Sequence, residues 1–251
     1  MSGHSHWATI RRKKGAADAK RGQVFTRLAR EITIAAREGG GDPDSNVRLQ
    51  YAIDRARAQN MPKDNIERAI KRGTGDSKEG GSLEQVMYEG YGPHGMAMMI
   101  EVVTDNRNRA VAEIRHVLNR FGGSMAEAGS VAWQFKRISY FTFSVLGHDS
   151  DAVFELAVEA GADDVSFDDE SAEIVGPVEA FKDISDRLKL AKIHPDEAEL
   201  RMIPNIELSL STEETLQGLK VIETLEELDD VQAVFHNLQM TEEVLAQFEE
   251  A

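Results

Sequence analysis

The stretch Ser139-Tyr140-Phe141-Thr142-Phe143-Ser144-Val145 opens the region whose reading decides the fold. It reads as a strand, and Asp151 to Ala160 reads as a helix after it. Two short strands follow, Asp164 to Phe167 and Glu173 to Val175, around the hairpin turn Asp168-Asp169-Glu170. Val178 to Leu190 is a second helix and Ala198 to Ile203 a last strand. The order βαββαβ is that of a ferredoxin-like unit, whose helices cover one face of an antiparallel sheet.

Outward from this unit the pieces are too few on either side to stand alone. Upstream, Val86 to Gly90 is strand-like, Gly90-Tyr91-Gly92-Pro93 is a turn and Met96 to Val103 an apolar run of strand length. Asp105 to Arg107 starts a helix with Val111, Ile114, Val117, Leu118 and Phe121 on one side, stopped by Gly122-Gly123. Val131, Trp133 and Phe135 then alternate as one face of a strand, which assigns Trp133 to the core. Downstream come a strand at Ile206 to Leu210, a helix at Glu213 to Leu228, a strand at Val231 to Phe235 and an amphipathic stretch from Glu242. These elements complete the sheet begun at Glu84, so the ferredoxin-like unit is expected as an insertion into a discontinuous α/β domain.

The first quarter is helical. Val24, Phe25, Leu28, Ile32 and Ala35 form one stripe, which Gly39-Gly40-Gly41-Asp42-Pro43 ends. Asp44 or Ser45 is expected to cap a second helix carrying Leu49, Ile53 and Ala56. Pro62 suits the first turn of a third helix, with Ile66, Ala69 and Ile70 inward and Gly73 at its stop. The expected class is α+β: a three-helix bundle and two α/β domains, one inserted in the other. The boundaries are 1–78, then 79–136 together with 206–251, then 137–205, with a linker near 73–82.

Charge divides the chain more sharply than fold does. Of the 251 residues, 29% are charged and 41% hydrophobic, and the formal net charge is −15. Residues 1–75 hold 16 Lys and Arg against 8 Asp and Glu, a net of +8; the remainder holds 13 against 36, a net of −23. A polyanion is drawn to one end and repelled by the other. There is no Cys, so no disulfide and no Cys-bound zinc. No apolar run reaches the roughly 18–20 residues of a membrane span, and the N-terminus lacks a signal peptide's apolar core. A cytoplasmic protein is expected, its oligomeric state open with a monomer favoured.

Catalytic motifs are lacking. Gly73-Thr74-Gly75-Asp76-Ser77-Lys78 has the wrong spacing for a phosphate loop and no strand before it. His4 and His6 have no third ligand near them. Asp163, Asp164, Asp168, Asp169 and Glu170 fall at strand ends and a turn, where acidic clusters are usually solvated. A non-enzyme without cofactor or metal is expected.

Nucleic-acid chemistry asks for cations that track phosphates and flat side chains on which an unstacked base can lie. His4, His6 and Trp7 precede Arg11, Arg12, Lys13 and Lys14; Lys20, Arg21, Arg27 and Arg30 follow at the first helix. Lys63, Arg68, Lys71 and Arg72 extend the charge over the third helix, after Arg55 and Arg57 on the second. Asp54, Asp64 and Glu67 pair locally with some of these. Tyr91 lies between two glycines of a turn. Arg107 and Arg109 sit at a helix start, where they are either solvated side chains beside an N-cap or, with the helix amides, an anion site.

Six motifs in register resemble the YebC/PmpR family: Gly3-His4-Ser5-His6-Trp7-Ala8-Thr9-Ile10, Ala19-Lys20-Arg21-Gly22, Phe25-Thr26, Gly39-Gly40-Gly41-Asp42-Pro43, Glu89-Gly90-Tyr91-Gly92-Pro93 and Asp105-Asn106-Arg107-Asn108-Arg109. His6 stands where that family has Lys, Arg12-Lys13-Lys14 replaces a more His-containing run, and Arg137-Ile138 does not reproduce a Lys-Gly step. The resemblance implies three domains with the outer one inserted. It also implies a regulator of gene expression, as a DNA-binding transcriptional regulator or as a ribosome-associated translation factor that relieves stalling at proline-rich sequences. The contacts it carries over are the arm, the first helix, Tyr91, Arg107 and Arg109. No helix-turn-helix reading head is recognisable, and a basic arm with Trp and His suits irregular ribosomal RNA at least as well as a DNA duplex. A protein-interaction adaptor whose acidic part binds a basic partner is the alternative.

Overall fold

The computed structural model describes residues 21–76, 83–168 and 170–250. The arm residues His4, His6, Trp7, Arg11, Arg12, Lys13, Lys14 and Lys20 lie outside them, as do most of the linker and Asp169.

Helix α1, Arg21–Gly39, buries Leu28, Ile32, Ala35 and Ala36 against α2, Val47–Ala58, and α3, Lys63–Thr74. The cap of α2 is Asn46, one position beyond the residues expected from the sequence. Its Oδ1 accepts from Leu49 N at 3.1 Å while its Nδ2 donates to Ala35 O at 2.8 Å and Gly40 O at 2.7 Å. One amide thus caps one helix and ties off another, which neither a carboxylate nor a hydroxyl could do with this donor set. The stop of α3 also differs from expectation. Gly75, at φ 83°, is the left-handed cap. Gly73 lies inside the helix, where an added Cβ would stand 2.4 Å from Thr33 O of α1; it is there for close helix approach.

The first sheet has strand order β3-β1-β2-β8, all antiparallel: β1 Glu84–Tyr91, β2 Ala97–Thr104, β3 Ser124–Met125 and β8 Val231–His236. Met96, Met98, Ile100 and Val102 point to one face, which is covered by α4 (Arg107–Arg120), α7 (Thr212–Glu226) and α8 (Glu242–Glu250) through Ile114, Leu118, Leu219, Ile222 and Val244. Ala97 and Met99, on the alternate positions, face the other way and meet Val131 and Phe135.

Between β3 and β8 the chain builds the second sheet, order β5-β6-β4-β7, again antiparallel: β4 Phe135–Ser144, β5 Asp164–Phe167, β6 Ser171–Gly176 and β7 Glu197–Pro204. Helices α5, Ser150–Glu159, and α6, Phe181–Leu190, cover one face over Phe141, Phe143, Ile174 and Ile184. This is the ferredoxin-like arrangement, inserted between two strands of the first sheet, and the class is α+β as expected.

Two further expectations fail. Residues 206–210 form no strand; a single parallel bridge joins Leu208 to Leu238. Trp133 is not in the core: Ala132–Gln134 is a 3₁₀ turn before β4, and the indole is 69% exposed.

Candidate nucleic-acid interface

Three arginines of α1, Arg27, Arg30 and Arg37, face the rest of the protein. Arg27 Nε donates to Val231 O at 3.3 Å, Arg30 donates to Asp229 O, and Arg37 donates to Leu83 O. Arg30 also pairs with Asp230 at 2.8 Å. Asp230 is 2% exposed, and accepts as well from Thr104 Oγ1 at 2.9 Å and from Arg109 Nη2 at 2.8 Å. One buried carboxylate therefore holds the bundle, the start of α4 and the turn before β8 together. A carboxylate this enclosed needs such donors, because an unpaired buried charge costs several kcal/mol.

The start of α4 is capped, and both of its arginines pair with carboxylates. Asn106 is the cap, accepting from Arg109 N at 3.0 Å. Arg109 is turned to Asp230 and to Asp105 at 3.1 Å; its hydrogen bonds to Asp230, then that group's charge and Asp105, hold the guanidinium charged more firmly than usual. Arg107 pairs with Glu84, both half in solvent. A phosphate at either arginine would compete with a carboxylate already there.

Lys63 pairs with Glu67 at 3.5 Å on the outer side of α3, where Asp64, Arg68 and the exposed Lys71 also lie, with Arg72 half-buried beside them. Arg57 pairs with Asp54 at 3.1 Å. Arg21 begins α1. The outer surface of the described bundle is thus mixed in sign rather than a cationic stripe. Tyr91 ends β1; its hydroxyl donates to Ser130 O at 3.4 Å and accepts from Gln134 Nε2 at 3.5 Å.

Beside Tyr91, Glu89 is a buried carboxylate that charge counting gave no reason to notice. It accepts from the backbone N–H of Gly129 and Val131, each at 2.6 Å, and of Ala132 at 2.9 Å. Burial pushes its pKa up, but the three N–H donors outweigh that and leave it below the ordinary carboxylate value. The turn these bonds fix carries Trp133. On α4, Arg115, His116, Asn119 and Arg120 are also exposed, in a chain segment otherwise poor in cations; their spacing on one helix was the available signal.

Where the bundle, the non-helical face of the first sheet and β7 meet there is a cleft of about 220 Å³. Arg201, nearly buried, lies over the Tyr140 ring at 3.7 Å and pairs with Glu197 at 2.9 Å and Glu199 at 2.8 Å. Arg55 pairs with Glu31 inside the bundle at 2.9 Å and reaches across to Glu199 of β7 at 3.9 Å. Glu101, on the floor, is pushed up by burial against the opposing pull of Gln85, Arg48 and Arg137. The space is below the size usual for cofactor pockets and is lined by paired charges of both signs, as in a seam between units. Among the described residues no three His, Asp or Glu side chains gather to hold a metal ion, and no helix is long and apolar enough to cross a membrane.

Family comparison covers nearly the whole chain. Residues 5–76 match the TACO1/YebC protein N-terminal domain, and residues 83–238 match the TACO1/YebC second and third domain. The chain belongs to the TACO1/YebC family. It is 49% identical over 251 residues to a "Probable transcriptional regulatory protein" of Chlorobaculum tepidum, with all of each chain covered. A protein of the same name from Nitrosococcus oceani is 50% identical over 248 residues, covering 98% of this chain and 99% of the relative. The crystal structure of a conserved hypothetical protein from Aquifex aeolicus superposes with a TM-score of 0.79 at 38% identity, covering 90% of this chain and 93% of that one. The fold of this TACO1/YebC protein, with its inserted ferredoxin-like unit, is thus shared with a solved relative.

Proposed function

We propose that this protein is a non-enzymatic regulator of gene expression that grips nucleic acid through its basic arm, residues 1–20, and the adjoining outer edge of the bundle. The observation that carries the proposal is the division of charge, +8 over residues 1–75 against −23 beyond. A polyanion approaching such a molecule is oriented before it touches. The names of the Chlorobaculum and Nitrosococcus relatives support the regulatory role.

Within this reading, Arg27 and Arg109 leave the contact set, because each is engaged inside the protein. His4, His6, Trp7, Arg11 to Lys14, Lys20 and Arg21 remain, with Lys63, Lys71, Arg72, Tyr91 and Arg107 at the margin. The mixed-sign outer face of α3 suits a groove-reading helix poorly, and an aromatic-bearing basic arm suits irregular RNA. The target favoured is therefore ribosomal RNA, with a role in translation; promoter DNA is the competing target. Ribosome co-sedimentation and promoter-duplex binding, each across a salt series, separate them for the full chain and for a chain lacking residues 1–14. Loss of ribosome binding on truncation supports the translation role; sequence-selective duplex binding that survives truncation refutes it.

A second reading has its own observation. On α5, Phe154 and Val158 stand one turn apart and half exposed, among Asp151, Glu155 and Glu159. That surface suits a basic amphipathic helix of a protein partner. Replacing both apolar residues with Ser would abolish capture of such a partner and leave RNA binding intact.

A further inference from the structure

We propose that Trp133 is a stacking platform for an unpaired nucleobase. The inference rests on the nucleic-acid reading above and adds a contact on the face of the first sheet away from α4, α7 and α8. Trp133 is 69% exposed, the most solvent-open large aromatic among the described residues. An exposed Trp is ordinarily mobile about two torsions; this one is held. Its indole Nε1 donates to Ser130 O at 2.9 Å, one turn back, and its carbonyl accepts from Asn205 Nδ2 at 2.9 Å. Asn205 N also donates to Gln134 O at 2.7 Å. From below, the buried Glu89 carboxylate clamps Gly129, Val131 and Ala132. Burying a charge is costly unless it is fully hydrogen-bonded, so this turn is fixed by more than its own sequence.

The arrangement says what kind of ligand fits. With its N–H already bonded to Ser130, the indole offers a partner only its π-face, which binds any base without reading its edges. The residues that hold its turn, Ser130, Gln134 and Asn205, are polar, whereas a Trp anchor in a protein–protein interface is ringed by contacts that exclude water. A single strand can lay an unpaired base on the ring. A duplex cannot, since its bases are stacked inside.

The chain has two tryptophans, so the Trp7→Phe protein reports on Trp133 alone. Trp7 belongs to the proposed arm contacts, so this variant is titrated to saturation, followed by the anisotropy of a fluorescein-labelled, unstructured A/U-rich RNA. Stacking should quench the Trp133 emission as the RNA saturates, with no such quenching by duplex DNA. In the otherwise native chain, Trp133→Ala should weaken RNA binding roughly 5- to 100-fold, and Trp133→Phe should restore most of it. Saturable RNA binding without quenching, together with unchanged affinity in Trp133→Ala, overturns the platform and leaves the arm-based reading standing. Equal quenching by duplex, or restoration by Leu as well as by Phe, also overturns it, the latter marking an apolar protein-type contact. No RNA binding by the native chain at low salt removes the reading on which the platform rests.

Discussion

Arg30 of α1 meets Asp230, the residue before β8, at 2.8 Å, and the carboxylate is almost wholly buried. The same carboxylate takes Arg109. Replacing Asp230 with Ala leaves two guanidiniums facing a vacated site and should cost about 3–5 kcal/mol in urea unfolding. Arg30→Gln should lower stability by less, since Arg109 and Thr104 still satisfy Asp230. The salt slope of RNA binding should be the same in Arg30→Gln as in the native protein. A shallower slope would mean that Arg30 meets phosphate after all.

Gly73 and Gly75 are two residues apart and make opposite demands. At Gly73 an added methyl meets backbone, Thr33 O at 2.4 Å, and α1 and α3 must separate. At Gly75 there is room but the φ is 83°. Gly73→Ala should therefore cost about 2 kcal/mol or more, as overpacking does, and Gly75→Ala about 1 kcal/mol, the left-handed penalty alone. Equilibrium unfolding of the two variants checks the order.

Those two glycines also show where sequence reading succeeds and where it stops. The βαββαβ order was readable because each element declares itself locally, by length and by the turns between Val145 and Ala198. The insertion followed from a shortage of strands on either side. Which glycine caps and which packs depends on a helix about forty residues away. Trp133 departs from the core for the same reason: Val131, Trp133 and Phe135 do alternate, but Glu89, some forty residues earlier, takes the N–H groups of Gly129, Val131 and Ala132 and holds the segment in a turn. Charge counting gives the net sign of the first quarter but does not show that Arg27, Arg30 and Arg37 face inward.

Glu89 gives a pH signature to the Trp133 turn. Its folded pKa lies below the unfolded value of about 4.3, so the charged form binds more tightly in the folded state. That stability is complete above the unfolded pKa and is lost as pH falls through the folded one. Glu89→Gln should cost roughly 1–3 kcal/mol at neutral pH, with the native and variant stabilities converging in acid. A constant gap between the two at all pH values would assign the effect to packing instead.

Glu101 titrates in the opposite sense. Burial in the three-unit cleft raises its pKa, so the folded state favours the neutral acid. The stability linked to it is complete below about pH 4.3 and declines as pH rises through the raised folded value. Glu101→Gln keeps the shape and a partner for Gln85 while removing the charge. It should be more stable than the native protein at neutral pH and should flatten the decline. Urea midpoints across the range from pH 4 to pH 8 would show it, and a variant no more stable than native at neutral pH would refute it.

The division of the basic residues into inward and outward sets has a consequence in salt. Each phosphate contact on a single strand contributes a slope of about −0.7 in log affinity against log salt. Replacing Lys13 and Lys14 together with Ala should make the slope shallower by about 1.4, if both meet phosphate. Replacing Arg27 should leave the slope unchanged, because its guanidinium is turned to the Val231 carbonyl; any loss of affinity there would come from loosening α1 against the first sheet, and would appear equally at all salt concentrations. The two variants have the same sign of charge change per residue, so net charge cannot produce the difference. A slope that moves with Arg27 and ignores Lys13 and Lys14 would transfer the contact from the arm to α1.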